Sequence, residues 1–150
     1  MAVERTFSMI KPDAVAAGNM GNILAMIEEA GFDVIHARLL KFTEKSAGQF
    51  YEIHQGKGFY ERLIQFMVKD KVLALVLEKE NAIDDLRDLM GPTDPKNAPK
   101  TTVRGRYAKG MPDNAIHGSD SVESAKREIT YIFGEYAAIP SVEKIAAKEY

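Results

Sequence analysis

The sequence predicts an α/β sandwich, in which helices cover an antiparallel sheet on a plan close to the split βαβ motif. Two observations lead to this prediction. Segments with strand-like apolar patterns alternate with segments whose apolar residues recur at helical spacing. In addition, the longest purely apolar run, residues 72–77, is six residues long. A run of this length is typical of a central strand buried on both faces, and it falls far short of the roughly 20 residues that span a bilayer.

The first half of the chain begins with a strand over residues 3–11, which ends where Pro12 cannot extend a hydrogen-bonded ladder. A helix is predicted over residues 21–30, with Gly31 as its stop. A second strand is predicted over residues 32–42. Two further helices follow, one capped by Thr43 and carrying Ala47, Phe50 and His54, the other carrying Phe59, Leu63, Phe66 and Met67.

The second half begins with the central strand at 72–77 and continues with a helix that Asn81 is predicted to cap. Residues 91–113 show no clear period and are predicted to form a long loop, a kind of segment that often carries function. A strand then leads to a helix over 121–133, with Asp120 and Glu123 forming a capping-box-like start. A further short helix is predicted from Ser141.

Composition limits the classes of protein that remain. A length of 150 residues fits one domain spanning residues 1–150, and 20 basic against 22 acidic residues give a net charge of −2. This balance disfavours a dedicated nucleic-acid-binding protein, which needs a basic field. The chain has no cysteine, so it has neither disulfides nor thiolate metal sites, and no apolar leader is apparent near Met1. We therefore expect a cytoplasmic protein with no membrane role.

The segment 114–121 contains the leading functional candidate, because it places His117, one of three histidines, at a strand-to-helix junction. Gly118 permits close approach of a ligand to the backbone. The start of the following helix offers free N–H groups and the positive end of the helix dipole, which favour an anion such as phosphate. The alternative is that His117 only packs beneath the turn.

Other candidates are spread along the chain, and each has a structural alternative. Lys11 lies at a strand end, where ligands often bind, but it is equally a surface lysine. Tyr51 and Phe59 are core residues by default, although an aromatic ring at a helix start can also support a nucleotide base. The segment around Lys57 is not a Walker phosphate loop, since Tyr51 occupies the position of its first glycine. The remaining candidates for phosphate contacts, or for simple solvated charges, are Arg87, Thr93, Arg104 and Arg106.

These residue types together suit phosphoryl transfer. Cations and a metal ion can neutralise the charge on a transferring phosphoryl group, while a neutral imidazole acts as nucleophile. A histidine nucleophile implies a ping-pong cycle. Glu128 follows His117 on the next helix and could accept the other ring N–H, fixing the tautomer.

Three segments of the sequence carry a family resemblance. Residues 114–128, Asn-Ala-Ile-His-Gly-Ser-Asp-Ser-Val-Glu-Ser-Ala-Lys-Arg-Glu, resemble the active-site signature of nucleoside diphosphate kinases. Residues 4–13 resemble the first strand of that family, and residues 81–95 its nucleotide-binding helix. The resemblance implies a ferredoxin-like βαββαβ fold with a four-stranded antiparallel sheet. It also implies transfer of a γ-phosphate from a nucleoside triphosphate to a nucleoside diphosphate through phosphohistidine.

The resemblance also implies roles for individual residues. His117 would be the nucleophile and Glu128 its orienting partner, with Ser119 and Tyr51 lining the reacting phosphate. Broad base specificity is implied as well, together with Mg²⁺ held mainly by nucleotide phosphates rather than by a protein metal site, and a homo-oligomeric assembly. The residues expected to bind the nucleotide are Lys11 and Asn114 at the sugar and phosphates, Arg87, Thr93 and Arg104 at the phosphates, and Phe59 at the base.

The sequence departs from the family pattern at four places: Gly58, Asp70-Lys71, Arg106 and Asp113. Arg106 and Asp113 stand where the family usually has the opposite charges, so they either contact each other or are two independent surface changes. Two rival functions also remain at this point. One is a non-catalytic binding module on the same fold, and the other is a nucleic-acid-binding protein.

Overall fold

A computed structural model describes residues 3–141. The strands in this range are β1 (Val3–Ile10), β2 (Asp33–Leu40), β3 (Val72–Glu80) and β4 (Ile116–Gly118). The α-helices are α1 (Pro12–Ala16), α2 (Met20–Glu29), α3 (Glu44–Phe50), α4 (Tyr60–Met67), α5 (Ala82–Met90), α6 (Val103–Tyr107) and α7 (Val122–Phe133). Short 3₁₀ turns lie at Glu52–His54, Pro95–Asn97 and Glu135–Ala138.

The strands form one sheet in the order β2-β3-β1-β4, and every neighbouring pair is antiparallel. This is the predicted ferredoxin-like sheet, so the predicted fold class is confirmed. Within residues 3–141, no helix is long and apolar enough to cross a membrane. A single domain over residues 1–150 stays a prediction, as does a helix beyond Ser141, whose residues lie outside the described range.

The central strand β3 is buried on both faces, as its apolar run predicts. Alternate side chains of a strand point to opposite faces, so β3 contributes to two cores. Val72, Ala74 and Val76 pack with the aromatic cluster around Phe7 and Phe50. The residues between them on β3 face the helices on the other side of the sheet: Leu73, Leu75 and Leu77 pack with Ile23, Ile27, Leu86 and Met90.

Of the three predicted helix caps, that of Thr43 is confirmed, because its Oγ1 accepts from the Ser46 N–H at 3.0 Å. The caps of α5 and α7 differ from the prediction. Asn81 adopts a left-handed conformation with φ of 55°, and its side chain donates to Asp85 instead of capping α5. The start of α5 is satisfied by Glu4 of β1, whose carboxylate accepts from the Ile83 N–H at 3.1 Å. At α7 the cap is Ser121 rather than Asp120, because the Ser121 Oγ accepts the Ser124 N–H at 3.0 Å.

Two short helices, α1 and α6, are absent from the prediction, and the end of α3 also differs from it. Helix α1 begins at Pro12, where proline is well tolerated in a first helical turn. Helix α6 lies inside the segment predicted to be a loop, and Thr102 caps it by accepting from the Gly105 N–H at 3.1 Å. Both helices are five residues long, too short to show a helical period. Helix α3 ends at Phe50, so His54 belongs to the following 3₁₀ turn.

Of the two alternatives for Arg106 and Asp113, the structure does not show the direct contact. The Arg106 Nε donates to the Lys100 carbonyl at 2.7 Å, and the two exchanged charges form no ion pair within residues 3–141. At another departure, the Asp70 carboxylate accepts from the Lys71 N–H at 2.7 Å and shapes the turn into β3. The departures at Arg106 and Asp70-Lys71 are therefore accommodated by local backbone contacts.

Candidate active site

Two adjoining cavities lie where β1, β4, α4 and α5 meet the 91–114 segment. The inner cavity, of about 360 Å³, contains His117 and Glu128, and the outer cavity, of about 370 Å³, contains Phe59. They share four lining residues, Lys11, Leu63, Thr93 and Asn114. The two cavities therefore form one continuous cleft. The residues that line the inner cavity are Lys11, Tyr51, Ile53, His54, Leu63, Arg87, Met90, Thr93, Arg104, Asn114, Ile116, His117, Gly118, Asp120, Ser124 and Glu128.

His117 is the middle residue of β4 and pairs with Met9 of β1. Its Nε2 lies 2.9 Å from Oε1 of Glu128. The rings of Phe7, Phe50 and Tyr51 pack edge-on around the imidazole, with centroid distances of 5.9, 5.6 and 6.3 Å. These contacts fix the plane of the ring and leave Nδ1 without a hydrogen bond to any described residue.

Glu128 is buried on α7, next to Ile129, which packs in the aromatic cluster. Its Oε1 accepts from the Ser119 hydroxyl at 2.8 Å as well as contacting His117. Ser119 is only 1% exposed, and its backbone N–H donates to the Phe7 carbonyl at 3.1 Å. The structure therefore places Ser119 behind Glu128, outside the residues that line the cavity. Its contact with the reacting phosphate stays a prediction.

Lys11 is a buried cation at the junction of the two cavities. Its Nζ donates to the Pro112 carbonyl at 2.7 Å and to Oδ1 of Asn114 at 2.9 Å. Burial lowers the pKa of Lys11 to about 8, with Asp13 opposing this effect and Arg104 reinforcing it. Asn114 in turn donates to the Thr93 carbonyl at 3.3 Å, so Lys11 and Asn114 hold the 91–114 segment against the end of β1.

Arg104 is buried at the floor of the inner cavity. Its guanidinium donates to three backbone carbonyls, at Gly91, Asn114 and Ile116, over 3.0, 3.3 and 2.8 Å. A guanidinium has five N–H groups, so two remain for a ligand. Burial, and then the charge of Arg87, lower the pKa of Arg104 to about 10.

Arg87, Thr93 and Asp120 are exposed side chains on the same wall. The guanidinium of Arg87 makes no hydrogen bond within the described part of the chain. A hydrogen bond from Ser124, more than the charge of Arg87, holds the pKa of Asp120 below its usual value. The inner cavity thus combines three cations with an ionised carboxylate at its rim, a charge pattern that suits a bound polyphosphate.

The two aromatic candidates differ in exposure. Tyr51 is buried with its ring at the cavity wall, and burial, followed by the charge of Glu128, raises the pKa of its hydroxyl. Phe59, at the start of α4, is 44% exposed and lines the outer cavity. The ammonium of Lys57 lies 5.9 Å from the Phe59 ring centre. Phe59 is therefore not a core residue, and its ring lies exposed at the edge of the cavity.

The family model for nucleoside diphosphate kinases matches residues 4–138. The chain belongs to the nucleoside diphosphate kinase family. Three similar solved structures are nucleoside diphosphate kinases. Those from Aquifex aeolicus and Encephalitozoon cuniculi are 38% and 31% identical, cover 92% and 96% of this chain and 100% and 98% of their own, and both give TM-scores of 0.87. The third, from Halobacterium salinarum in complex with CDP, is 33% identical, covers 99% of both chains and gives a TM-score of 0.86.

Membership of the nucleoside diphosphate kinase family makes the chain a phosphotransferase that acts on nucleotides. It also excludes the rival interpretation of a non-catalytic binding module. The cleft accordingly brings together predicted residues from six parts of the chain: the end of β1, the α3–α4 region, α5, the 91–114 segment, β4 and α7. Of the predicted set, Lys11, Tyr51, Phe59, Arg87, Thr93, Arg104, Asn114, His117 and Glu128 line the cleft, and Ser119 does not.

Sequence reasoning missed two residues of this kinase's cleft, His54 and Arg62. His54 lines the inner cavity beside Phe59, with a ring-centroid distance of 5.4 Å. In the sequence it falls on the apolar stripe of the helix predicted after Thr43, a position that gives no sign of a ligand contact. Arg62 lines the outer cavity. Its sequence signal was the three-residue spacing from Phe59, which places both side chains on one side of a helix.

Proposed function

We propose that the enzyme transfers the γ-phosphate of a nucleoside triphosphate to a nucleoside diphosphate through a phosphohistidine on His117, in a ping-pong cycle. The contact between Nε2 of His117 and Glu128 at 2.9 Å is the observation that carries this proposal. A carboxylate only accepts hydrogen bonds, so Nε2 holds the ring proton and Nδ1 carries the free lone pair. The nucleophile is therefore Nδ1 of a neutral imidazole at the cavity wall.

In the first half-reaction, the Nδ1 lone pair forms a bond to the γ-phosphorus. The bond from that phosphorus to the β,γ-bridging oxygen breaks, and the nucleoside diphosphate leaves with the electron pair on that oxygen. The imidazole becomes positively charged while keeping its Nε2 proton, and the negative charge of Glu128 stabilises it. The second half-reaction is the reverse, with a different nucleoside diphosphate as acceptor.

The cations act by position and charge. Arg87 and the two free N–H groups of Arg104 would bind the phosphates, and the Lys11 ammonium lies where the two cavities adjoin. Fixed donors in a partly buried cavity stabilise the charge on a transferring phosphoryl group without reorganisation. The raised pKa of Tyr51 keeps its hydroxyl protonated, so that this hydroxyl can donate a hydrogen bond to the transferring phosphoryl group. Thr93 adds a neutral donor at the outer side.

The residues of this site fit a Mg²⁺ ion that is bound mainly by the phosphates of the nucleotide. Within residues 3–141, no group of three histidine or carboxylate side chains could hold a metal ion. Mg²⁺ usually keeps several waters and binds phosphates with one or two carboxylates, and Asp120 is the exposed carboxylate on the wall that would accept from such a water. When bound, the ion would neutralise phosphate charge.

The base would stack on Phe59 in the outer cavity, with the sugar near Lys11 and Asn114. Stacking tolerates every base because each has a π-face, and this supports broad base specificity. The CDP in the Halobacterium salinarum structure supports a nucleoside diphosphate as one substrate of this enzyme too.

Incubation with γ-labelled ATP followed by a chase with a different diphosphate tests the mechanism. We expect label that is stable to base, labile in acid and transferred to the added diphosphate. The His117→Ala variant should take up no label, whereas His54→Ala should still be labelled. Transfer by His117→Ala within tenfold of the parent, or loss of label only in His54→Ala, would refute the assignment.

We also propose a closed symmetric homo-oligomer. Strand β2 forms one edge of the sheet, and the side chain of its residue Leu39 is 50% exposed. Unpaired strand edges of this kind usually need protection from random pairing. Light scattering at micromolar concentration measures the assembly, and a fully active monomer of 16.7 kDa would contradict it. A cytoplasmic location stays a prediction from composition.

A further inference from the structure

The outer cavity is the distal end of the cleft, because four of its lining residues are not shared with the inner cavity. These are Phe59, Arg62, Met111 and Pro112. Phe59 and Met111 are 44% and 59% exposed, so two apolar side chains remain available to cover a flat ligand. Arg62 is the charged member of this group and the one with side-chain hydrogen-bond donors. A ligand that fills the outer end therefore meets apolar surface and a single guanidinium.

Arg62 is available for a ligand. It lies three residues after Phe59 on α4, so the two side chains project from one side of the helix. Its side chain is exposed and, within the described residues, forms no hydrogen bond or ion pair. A base stacked on Phe59 would accordingly have the Arg62 guanidinium beside its edge.

We infer that Arg62 is a specificity-determining residue that favours guanine nucleotides by donating to N7 and O6 of the base. This inference rests on the proposed function, because it assumes that Phe59 supports the base. A guanidinium has donors only, in a planar fork that matches two adjacent acceptors. Guanine presents N7 and O6 as such a pair, whereas adenine presents one acceptor beside an amino group, and cytosine presents an amino group. Stacking on Phe59 then allows every base to bind, and the contact with Arg62 makes guanine the preferred base.

The test compares kcat/KM for GDP, ADP, UDP and CDP with one triphosphate donor, in the parent, Arg62→Ala and Arg62→Lys. We expect both variants to lower the GDP-to-ADP ratio of kcat/KM about fivefold, the low end for a bidentate arginine–guanine contact at an exposed site. Arg62→Lys keeps the charge but loses the fork, so it should behave like Arg62→Ala. The matched control is Lys69→Ala, which removes an exposed cation beyond the end of α4 and should leave the ratio unchanged.

The ratio within one variant cancels any general loss of activity, so partial misfolding does not imitate the expected result. An equal loss with all four diphosphates would indicate a phosphate or stacking contact and overturn the inference, as would an unchanged ratio. If Arg62→Lys kept the parent ratio, charge and not bidentate donation would explain the preference, which also overturns it. Failure of the parent to transfer phosphate to any diphosphate would instead refute the proposed function.

Discussion

Raising the pH should reduce activity by deprotonating Lys11. Burial lowers its pKa to about 8, so about nine-tenths of the free enzyme carries the ammonium at pH 7 and about one-tenth at pH 9. The pH dependence of kcat/KM reports groups of the free enzyme. If phosphate binding needs the ammonium, kcat/KM for the diphosphate should fall about tenfold between pH 7 and 9. Arg104, with a pKa of about 10, stays mostly protonated over this range.

The measurement is discharge of the phosphorylated enzyme by a diphosphate at a series of pH values from 6.5 to 9.5. Lys11→Arg, whose guanidinium stays charged throughout, should lose the alkaline fall even if its overall rate is lower. Asp113 raises the pKa of Lys11, so Asp113→Asn should move the fall to lower pH. A parent profile that is flat to pH 9.5, or an alkaline fall that persists in Lys11→Arg, would refute the reasoning.

Three further predictions concern Ser119, Phe59 and Gly118. Ser119→Ala should lower kcat about fivefold in steady-state assays and leave KM unchanged. The reason is that Glu128 loses a charge-assisted hydrogen bond worth about 1–3 kcal/mol while the cavity wall is intact. A rise in KM alone would contradict this prediction. Phe59→Ala should weaken binding by ~1–3 kcal/mol for every base by calorimetry, and a loss confined to one base would contradict stacking. Gly118→Ala should lower the free energy of unfolding by about 1–3 kcal/mol in denaturant, because its Cβ would collide with Met90 Sδ. Gly58→Ala, which has open space around it, is the control, and equal midpoints for the two variants would contradict the packing argument.

The residues with a strong local signal were predicted correctly. The apolar runs and helical periods gave the four strands and the longer helices, because burial of one or both faces imposes a repeat that is visible in the sequence. The motif at 114–128 identified His117 and Glu128 as partners, and they lie 2.9 Å apart. Gly31, with φ of 94°, ends the region of α2 as predicted, since glycine tolerates that conformation.

Other features were decided by contacts between distant parts of the chain. The carboxylate that accepts from the Ile83 N–H at the start of α5 belongs to Glu4, 79 positions away along the chain. Local capping rules consider only neighbouring residues, and they therefore predict Asn81 as the cap. The direction of the Ser119 hydroxyl depends on Glu128, and the partner of Arg106 is the Lys100 carbonyl, so neither contact follows from charge or spacing alone.

By itself, the sequence determined the fold class, the family resemblance and the residue types needed for phosphoryl transfer. Only the tertiary structure decided the burial, the hydrogen bonds and the relative positions of those groups. It buries Lys11 enough to lower its pKa to about 8, leaves two N–H groups of Arg104 free, and places Arg62 beside Phe59 in the outer cavity. The physical reason is that desolvation and hydrogen-bond direction depend on every element packed around a group, whereas sequence patterns report only the burial of neighbouring residues.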